Sequence, residues 1–158
     1  MPRTRKRLRG GARTCAVRTV VIFESLTGNT RHTAELIGAE LRAAGGEATV
    51  CAIDAVDLTA LSKADLVVVG SWVDGLFFVA QKPGRSGRLR GMPVIDGKKA
   101  AVFCTYAVDP GKTLSKLSQI VEDRGGDVIG GVAIRRNALE DGARDFVDRL
   151  LGVLEPAG

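Results

Sequence analysis

Short β-branched runs alternate with amphipathic helical stripes along most of this chain, and this alternation constrains its fold more than any other feature. Residues 19–23 form a β-branched run of strand length, followed by a polar loop and then by a helical stripe. That helix is predicted to end at Gly45 and Gly46, since glycine commonly follows the last helical residue. Strands and helices in alternation form a parallel sheet flanked by helices, so we predict an α/β domain.

Later segments of the chain repeat this pattern. Four further strand-like runs lie at residues 47–53, 66–70, 100–105 and 127–134. Residues 75–97 hold too many glycines and prolines for a long helix, so we predict a long loop there with at most a short helix. The helical stripes consist of Ala34, Ile37, Leu41 and Ala44, then Leu114, Leu117, Ile120 and Val121, and finally Ala143, Phe146, Val147, Leu150, Leu151 and Leu154.

The number of strands indicates where a ligand would bind. The chain has 158 residues, the size of one ordinary domain. Five strands of this kind fit a doubly wound sheet, which binds ligands beyond the carboxyl ends of its strands, at the point where the strand order reverses. The loops after strands one, three and four are therefore the candidate ligand site.

The positive charge of the chain is concentrated at its N-terminus. Of the 23 basic residues, seven lie in residues 1–18, which contain no acidic residue: Arg3, Arg5, Lys6, Arg7, Arg9, Arg13 and Arg18. The other 16 stand against all 18 acidic residues, so residues 19–158 carry a net charge of −2. We expect residues 1–18 to form a solvated, disordered basic extension and residues 19–155 to form the domain. Contact of the extension with nucleic acid or a membrane surface is the alternative.

The positions of the cysteines argue against a disulfide framework and a metal site, and the lengths of the apolar runs argue against a membrane span. Cys15, Cys51 and Cys104 are far apart, form no Cys-x-x-Cys pair and follow no secretory signal. We therefore expect no disulfide framework, no metal and a reducing, cytoplasmic environment. No apolar run approaches the roughly 18 residues that a membrane-spanning helix needs, so we expect no membrane span.

The loop after the first strand carries four side chains that can hydrogen-bond a phosphate. Ser25, Thr27, Asn29 and Thr30 surround Gly28, and the loop runs directly into the first predicted helix. A phosphate monoester needs several donors in a concave turn, which short polar side chains and the free amides of a helix start supply. Capping of the helix by Thr27 or Asn29 is the alternative, but a cap needs only one such residue. The pattern favours phosphate binding.

This loop resembles the Thr/Ser-x-Thr-Gly-x-Thr loop that flavodoxins carry after their first strand, and it reads Ser25-Leu26-Thr27-Gly28-Asn29-Thr30. The resemblance extends through the strand and the helix on either side. It implies a three-layer, flavodoxin-like, doubly wound sheet of five parallel strands in the order 2-1-3-4-5. It also implies FMN as the cofactor, its phosphate held by the side chains of Ser25, Thr27, Asn29 and Thr30 and by loop amides that include those of Leu26 and Gly28.

In flavodoxins, aromatic residues after strands three and four normally enclose the flavin ring, and this sequence has an aromatic residue at both places. Trp72, the only tryptophan, lies two residues after Gly70, and Tyr106, the only tyrosine, directly follows strand four. Stacking and desolvation between two such rings favour a planar flavin, although each ring could instead plug the edge of the sheet. The resemblance implies a ring site made of Ser71, Trp72, Val73, Asp74, Gly75, Thr105 and Tyr106.

The residue after Trp72 departs from the family pattern. Many flavodoxins have a glycine after the first stacking residue, and its peptide flips to hydrogen-bond N5 of the reduced flavin. Here that residue is Val73, and a β-branched side chain disfavours the positive φ that such a flip can require. The pair Asp74 and Gly75 is the alternative source of the flip.

A second departure is the charge of the following region, which is basic where flavodoxins are typically acidic. It contains Lys82, Arg85, Arg88 and Arg90. These cations could be solvated, or they could attract an anionic partner such as a nicotinamide dinucleotide phosphate to the flavin edge.

Three functions are compatible with these features. The resemblance implies an electron carrier of the flavodoxin type, in which FMN does the redox chemistry and the partner is a redox protein. The basic residues favour an FMN-dependent oxidoreductase of the same fold, which takes hydride from NAD(P)H and reduces a quinone-like or porphyrinogen-like acceptor. A binding module without redox activity, using the basic extension or a face of the domain, belongs to a different class. We expect the electron carrier, assign no catalytic residue and expect no nucleic-acid partner.

Overall fold

Parallel strand pairing organises this computed structural model, which describes residues 17–25, 28–76, 79–83 and 86–154. A short 3-10 turn, Ile53–Ala55, links the second strand to the second helix. In chain order the elements are β1 (Arg18–Phe23), α1 (Asn29–Ala43), β2 (Glu47–Ala52), α2 (Leu58–Lys63), β3 (Leu66–Leu76), β4 (Val79–Pro83), α3 (Ser86–Arg90), β5 (Lys99–Tyr106), α4 (Thr113–Asp123), β6 (Asp127–Arg135) and α5 (Leu139–Leu154).

The sheet places β1 between β2 and β3, with parallel pairing on both sides. Its five parallel strands follow the order β2-β1-β3-β5-β6, and β4 pairs antiparallel with the outer part of β3. Since β5 and β6 are the fourth and fifth strands predicted from the sequence, this topology confirms the 2-1-3-4-5 order. The strand order reverses after β1, so the ligand-binding edge expected for a doubly wound sheet lies at the carboxyl ends of β1, β3 and β5.

Both faces of the sheet are covered by helices. Val20 and Ile22 of β1 pack into a cluster with residues of α2, α3 and α4, whereas Val21 and Phe23 pack into a second cluster with α1 and α5. Successive residues of a strand face opposite sides, so a strand that is apolar at every position has to be buried on both. The three-layer architecture is confirmed. Within the described ranges, no helix is long and apolar enough to cross a membrane.

The three predicted helical stripes belong to α1, α4 and α5, with one exception. Ala44 was expected on the buried stripe of α1, but this helix ends at Ala43 and Ala44 is exposed. The amides of Ala44 and Gly45 bond back to the carbonyls of Glu40 and Arg42, at 3.1 and 3.0 Å. Gly45 adopts φ 95°, a left-handed conformation that commonly follows a helix. The helix therefore ends close to Gly45 and Gly46, as predicted.

The region between β3 and β5 differs from the prediction. The third strand continues to Leu76, and β4 folds back on it with Val73 opposite Pro83 and Asp74 opposite Lys82. Residues 75–97 therefore hold a strand and the short helix α3, and the predicted long loop is wrong. Dense glycine and proline exclude a long helix, but they do not exclude a hairpin, whose pairing depends on residues that are not neighbours in sequence.

No sequence pattern predicted α2, which is only six residues long. The helix is started by Asp57, whose carboxylate accepts the amide of Ala60 at 2.9 Å. Leu61 is its one buried residue, and it reaches the cluster on that side of the sheet. A helix with one buried residue has no apolar periodicity from which the sequence could predict it.

Replacement of Gly70 by alanine should destabilise the domain, because Gly70 lies opposite Phe103 and a Cβ there would overlap the Phe103 ring. Phe103 is fully buried and packs on Phe146, so it has little room to move. We expect the free energy of unfolding, measured by urea denaturation, to fall by about 1–3 kcal/mol. In the control Gly152→Ala, the new Cβ meets nothing within 4 Å, and alanine should stabilise α5 by up to about 1 kcal/mol. Equal effects at the two positions would contradict the packing described here.

Candidate functional site

The carboxyl ends of β1, β3 and β5 meet at one edge of the sheet. The amide of Glu24, the first residue after β1, donates to the carbonyl of Gly70 at 3.0 Å. Trp72 of β3 pairs with Thr105 of β5, whose hydroxyl lies 2.9 Å from that of Thr30 at the start of α1. The structure thus brings together the three segments that the sequence selected separately.

The turn into α1 is built on Gly28, which occupies the N-cap position with φ 98°. Left-handed backbone of this kind is costly for other residues, so the turn favours glycine at this position. The first hydrogen bond within the helix runs from the amide of His32 to the carbonyl of Gly28, at 2.8 Å. The amides of residues 29–31 precede that bond and have no acceptor within the helix.

Ser25 supplies the hydroxyl that organises this turn. Its Oγ accepts the amide of Gly28 at 3.1 Å and the amide of Arg31 at 3.3 Å. Capping by Thr27 or Asn29 was the alternative to phosphate binding at this loop, and the hydroxyl that accepts the loop and helix-start amides belongs to Ser25. Leu26 and Thr27, both predicted to contact the phosphate, lie outside the described residues.

Asn29 and Thr30 start the helix and are engaged differently. The carbonyl of Asn29 accepts the hydroxyl of Thr33 at 2.8 Å. Thr30 is buried, and its hydroxyl is paired with that of Thr105, which is also buried. Because a hydroxyl has one donor and two acceptor positions, Thr30 can keep this pairing and still hydrogen-bond a second group.

The two aromatic residues lie on neighbouring strands, each partly exposed. Trp72 lies within β3, because that strand continues past the point where a loop was expected, and Tyr106 is the last residue of β5. Trp72 is level with Thr105, on the face of the sheet that carries α1, whereas Tyr106 follows Thr105 and alternates to the other face. The guanidinium of Arg135, opposite Tyr106 in β6, lies 5.6 Å from the centre of the Tyr106 ring.

Four other residues predicted for the ring site, Ser71, Val73, Asp74 and Gly75, belong to β3. The Ser71 side chain is buried, and its hydroxyl donates to the carbonyl of Trp72 at 3.4 Å. Val73 and Asp74 are paired with β4, and Gly75 lies where the register of that pairing shifts. Residues 73–75, which were expected to supply the peptide flip, therefore lie in the first strand of a β-hairpin.

A cluster of ion-paired residues lies beside the loop, and no sequence pattern predicted it. Arg88 of α3 places Nε 3.4 Å from a carboxylate oxygen of Glu24, and Nη2 3.0 Å from Asp54. Arg31 and Glu35 form a second, exposed pair at 3.6 Å. Only sequence adjacency to Ser25 could have drawn attention to Glu24, since Arg88, with which its side chain pairs, is distant in sequence.

These charged residues line an open cavity of about 610 Å³ beside the turn, together with Ser25, Gly28 and Cys51. Of the four basic residues that suggested an anionic partner, Arg88 is ion-paired and Arg90 is exposed. Arg85 lies outside the described residues, as does the side chain of Lys82. In the part of the chain that the structure describes, no group of three or more His, Cys, Asp or Glu residues could hold a metal.

Burial disfavours the thiolate form of the two cysteines near this edge. Burial raises the pKa of Cys104 to about 12. Partial burial also raises the pKa of Cys51, and the charge of Asp57 adds to that effect, while a backbone hydrogen bond with Asp57 opposes it. Both cysteines are free thiols that serve packing.

The donors at this edge suit a phosphate ester attached to an aromatic ring system. The first turn of α1 contains no acidic residue, and no atom of the described residues lies within 4 Å of the place where a side chain at Gly28 would project. Helix-start amides and a serine hydroxyl bind a phosphate without any cation. The half-buried rings of Trp72 and Tyr106 offer apolar surface at the neighbouring strand ends. FMN has both parts, and these residues fit it.

Comparison with known proteins agrees with this description. Residues 20–135 match the sequence model of the flavodoxin domain. Oxidised flavodoxin 1 from Bacillus cereus is 24% identical and aligns over 87% of this chain and 99% of its own, with a TM-score of 0.64. Flavodoxin from Megasphaera elsdenii in its two-electron reduced state is 21% identical over 80% of this chain and 98% of its own, with a TM-score of 0.61.

A larger protein also contains a similar fold. Rubredoxin oxygen:oxidoreductase from Desulfovibrio gigas is 20% identical and aligns over 90% of this chain but only 38% of its own, with a TM-score of 0.60. At these identities the structural similarities establish the fold alone. A search of curated protein sequences gives no match.

The Thr30–Thr105 hydrogen bond should be detectable as a coupling energy. Thr30→Val leaves the buried hydroxyl of Thr105 unpaired, so the free energy of unfolding should fall by about 1–3 kcal/mol, and Thr105→Val should act similarly. With both residues replaced, no buried hydroxyl is left unpaired, and the loss should be smaller than the sum of the two single losses. Chemical denaturation of the four proteins measures the cycle, and strictly additive losses would disprove the interaction.

Cys104 should resist alkylation in the folded protein. Its pKa of about 12 leaves almost no thiolate at pH 8, and the side chain is inaccessible. Treatment with iodoacetamide followed by peptide mass spectrometry should therefore modify Cys51 before Cys104, and Cys104 only after urea is added. Modification of Cys104 at the same rate with and without urea would contradict its burial.

Proposed function

We propose that this chain, which belongs to the flavodoxin family, binds FMN at the carboxyl ends of β1, β3 and β5 and transfers electrons to or from a redox partner protein. The observation that carries this proposal is the turn at Gly28, where a left-handed glycine and the Ser25 hydroxyl prepare the amino terminus of α1 for an anion. The free thiols of Cys51 and Cys104 are consistent with a reducing compartment, and we propose that the protein acts in the cytoplasm.

The phosphate would be held by the loop between β1 and α1. Amides at the start of α1 point out of the helix and favour negative charge. We assign the phosphate to this loop, with its side-chain and backbone donors drawn from Ser25, Leu26, Thr27, Gly28, Asn29 and Thr30. Displacing Ser25 from the amides of Gly28 and Arg31 would make those two donors available as well.

The isoalloxazine ring would lie against the two aromatic residues. Trp72 and Tyr106 would contribute apolar surface, and Ser71, Val73, Asp74, Gly75 and Thr105 would contribute backbone or side-chain contacts. When bound, FMN supplies the redox chemistry, because its ring accepts and releases electrons. The protein's part is to hold the ring, exclude water from it and present one edge to a partner.

The charges near the site favour an electron carrier over an NAD(P)H-dependent oxidoreductase. Arg88, which suggested a site for an anionic dinucleotide, is already neutralised by Glu24 and Asp54. One observation keeps an NAD(P)H-dependent oxidoreductase as the second candidate, namely that Arg135 lies beside the Tyr106 ring. Such an enzyme would pass electrons from NAD(P)H to a quinone-like or porphyrinogen-like acceptor.

Anaerobic mixing of the FMN-loaded protein with NADPH separates the two candidates. A carrier should be reduced only when a flavodoxin reductase is added, whereas an oxidoreductase should bleach rapidly with NADPH alone. Absorbance at the flavin bands measures the rate. Rapid bleaching without reductase would exclude the carrier as the main function.

Gly28→Ala tests the phosphate loop, and Gly45→Ala is its matched control. Both glycines have positive φ, 98° and 95°, and lie at opposite ends of α1; at both, no atom of the described residues lies within 4 Å of the Cβ position. Alanine should therefore strain both sites similarly, by about 1–2 kcal/mol of unfolding free energy. Only Gly28→Ala should weaken FMN, by about tenfold or more, which corresponds to one lost hydrogen bond to a charged group.

Quenching of flavin fluorescence gives the dissociation constants for FMN and riboflavin in each protein. Riboflavin lacks the phosphate, so its affinity should change much less than that of FMN in Gly28→Ala. If the unmodified protein binds neither flavin, the proposed function is wrong. Equal weakening of FMN by both alanine variants would show that the strain of the helix, not the loop, controls binding.

A further inference from the structure

Three cations lie at the ends of β5 and β6, at the edge of the sheet where we place the FMN ring. Arg135 is the last residue of β6 and lies opposite Tyr106, and Arg136 follows it. The amide of Arg136 donates to the carbonyl of Tyr106 at 2.8 Å, so both arginines stand beside the end of β5. Lys112 occupies the N-cap position of α4, after the loop that starts from β5, and it therefore belongs to the same edge.

No carboxylate neutralises these three cations. Their side chains are exposed, and within the described parts of the chain none of them forms an ion pair. Arg135 lies over the Tyr106 ring, and this contact leaves its positive charge in place. Five other cations of the domain are each paired with an acidic residue, namely Arg18, Arg31, Arg88, Lys99 and Arg144.

The acidic residues of the same segments do not cancel this charge. Residues 106–112 and 135–138 contain one carboxylate, that of Asp109, which accepts the amide of Gly111 at 3.0 Å. Three cations and one anion give these segments a net charge of +2. Residues 139–144 add Glu140, Asp141 and Arg144, of which the last two are paired, so the net charge over all these segments remains +1.

An exposed apolar side chain lies in the same group of residues. Val108, in the loop after β5, is 73% exposed, the highest value among the large apolar side chains that the structure describes. Tyr106, two residues earlier, is partly exposed. Protein interfaces commonly place apolar and aromatic residues at their centre and charged residues at their rim. We call Tyr106, Val108, Lys112, Arg135 and Arg136 together the basic surface.

We propose that the basic surface is the docking site for an acidic redox partner protein, which approaches the FMN ring over Tyr106 and Val108. The inference rests on the proposed function, and it names the chemistry of the partner that this function requires. Opposite charges raise the rate of encounter and orient the two proteins, and like charges exclude the wrong partner. Because flavodoxins are typically acidic around the flavin, this chain should select partners of the opposite charge.

Electron exchange with two probe proteins of opposite charge tests the proposal. Reduced plant-type ferredoxin is an acidic donor, oxidised cytochrome c is a basic acceptor, and each carries a single electron. Two ferredoxins therefore reduce one bound FMN, with protons taken from water, and the reduced flavin passes its two electrons to two cytochromes c. Stopped-flow absorbance at an ionic strength of about 0.1 M, where the Debye length is about 10 Å, gives both rate constants with FMN saturating.

The test compares two double variants that lose the same charge. Lys112→Gln with Arg136→Gln removes two charges from the basic surface and keeps Arg135. The matched control, Lys63→Gln with Lys99→Gln, removes two exposed charges from the opposite edge of the sheet, since Lys63 ends α2 just before β3 and Lys99 begins β5. At roughly 3.3 Å per residue, β5 holds Lys99 about 20 Å or more from its carboxyl end, which exceeds the Debye length.

The basic-surface variant should react with ferredoxin about fivefold to tenfold more slowly than the unmodified protein and with cytochrome c faster, because attraction of one probe and repulsion of the other both weaken. The control should change each rate constant by less than about twofold. All the proteins retain residues 1–18, so a general effect of net charge would act on both variants alike. Equal changes in the two variants, or unchanged rates in the basic-surface variant, would overturn the proposal.

Single-stranded nucleic acid is the other occupant that a basic surface with an aromatic residue fits. Fluorescence anisotropy of a labelled oligonucleotide measures this binding in the same proteins. If the basic-surface variant loses oligonucleotide binding, the control keeps it and the ferredoxin rates do not change, the surface serves nucleic acid and the proposal is overturned.

Failure of the docking site is distinguishable from failure of the proposed function. If the unmodified protein binds no FMN, or exchanges electrons with neither probe when loaded, the proposed function is overturned and the docking site with it. If it exchanges electrons with the probes and the two double variants behave alike, only the docking site is overturned.

Discussion

Burial of β1 on both faces is the constraint on which the rest of the structure depends. The strand pairs with β2 and β3 along its edges, and its side chains enter the two apolar clusters alternately. A strand enclosed in this way can release the chain only at its end, so the polar loop emerges at the carboxyl edge of the sheet. There the amide of Glu24 still pairs with Gly70, and the turn to α1 begins one residue later. The position of the loop therefore follows from the burial of the strand before it.

Two kinds of hydrogen bond shape the site at this edge. The bonds from the amides of Gly28 and Arg31 to the Ser25 hydroxyl are local, and they depend on the left-handed backbone of Gly28. The bond between Thr30 and Thr105 is not local, since it joins α1 to the end of β5. Local bonds shape the turn to which we assign the phosphate, and the nonlocal bond sets its distance from the strands that carry Trp72 and Tyr106. In the proposed function, both would be needed for one ligand to reach all three segments.

The arrangement of charge cannot be inferred from the number of basic residues. Arg88 was one member of a basic region, but the fold commits it to Glu24 and Asp54. Arg135 was not singled out, yet it lies over the Tyr106 ring because β6 is the neighbour of β5. An arginine held between two carboxylates attracts an anionic partner far less than a free one does. Which cations are available to a partner is thus decided by packing.

The sequence by itself determined the parallel α/β order, the strand β1 and the loop at Gly28, because these depend on periodicity and backbone preference within a few neighbouring residues. Only the tertiary structure decided the hairpin of β3 and β4, the pairing of Thr30 with Thr105 and the contacts of Arg88. Each of these joins segments whose separation along the chain leaves no periodic signal. Parallel pairing with Thr105 of β5 places Trp72 in a strand and not in a loop, and pairing with β4 extends β3 further, to Leu76. Local chemistry selected the residues of the site, and long-range packing arranged them.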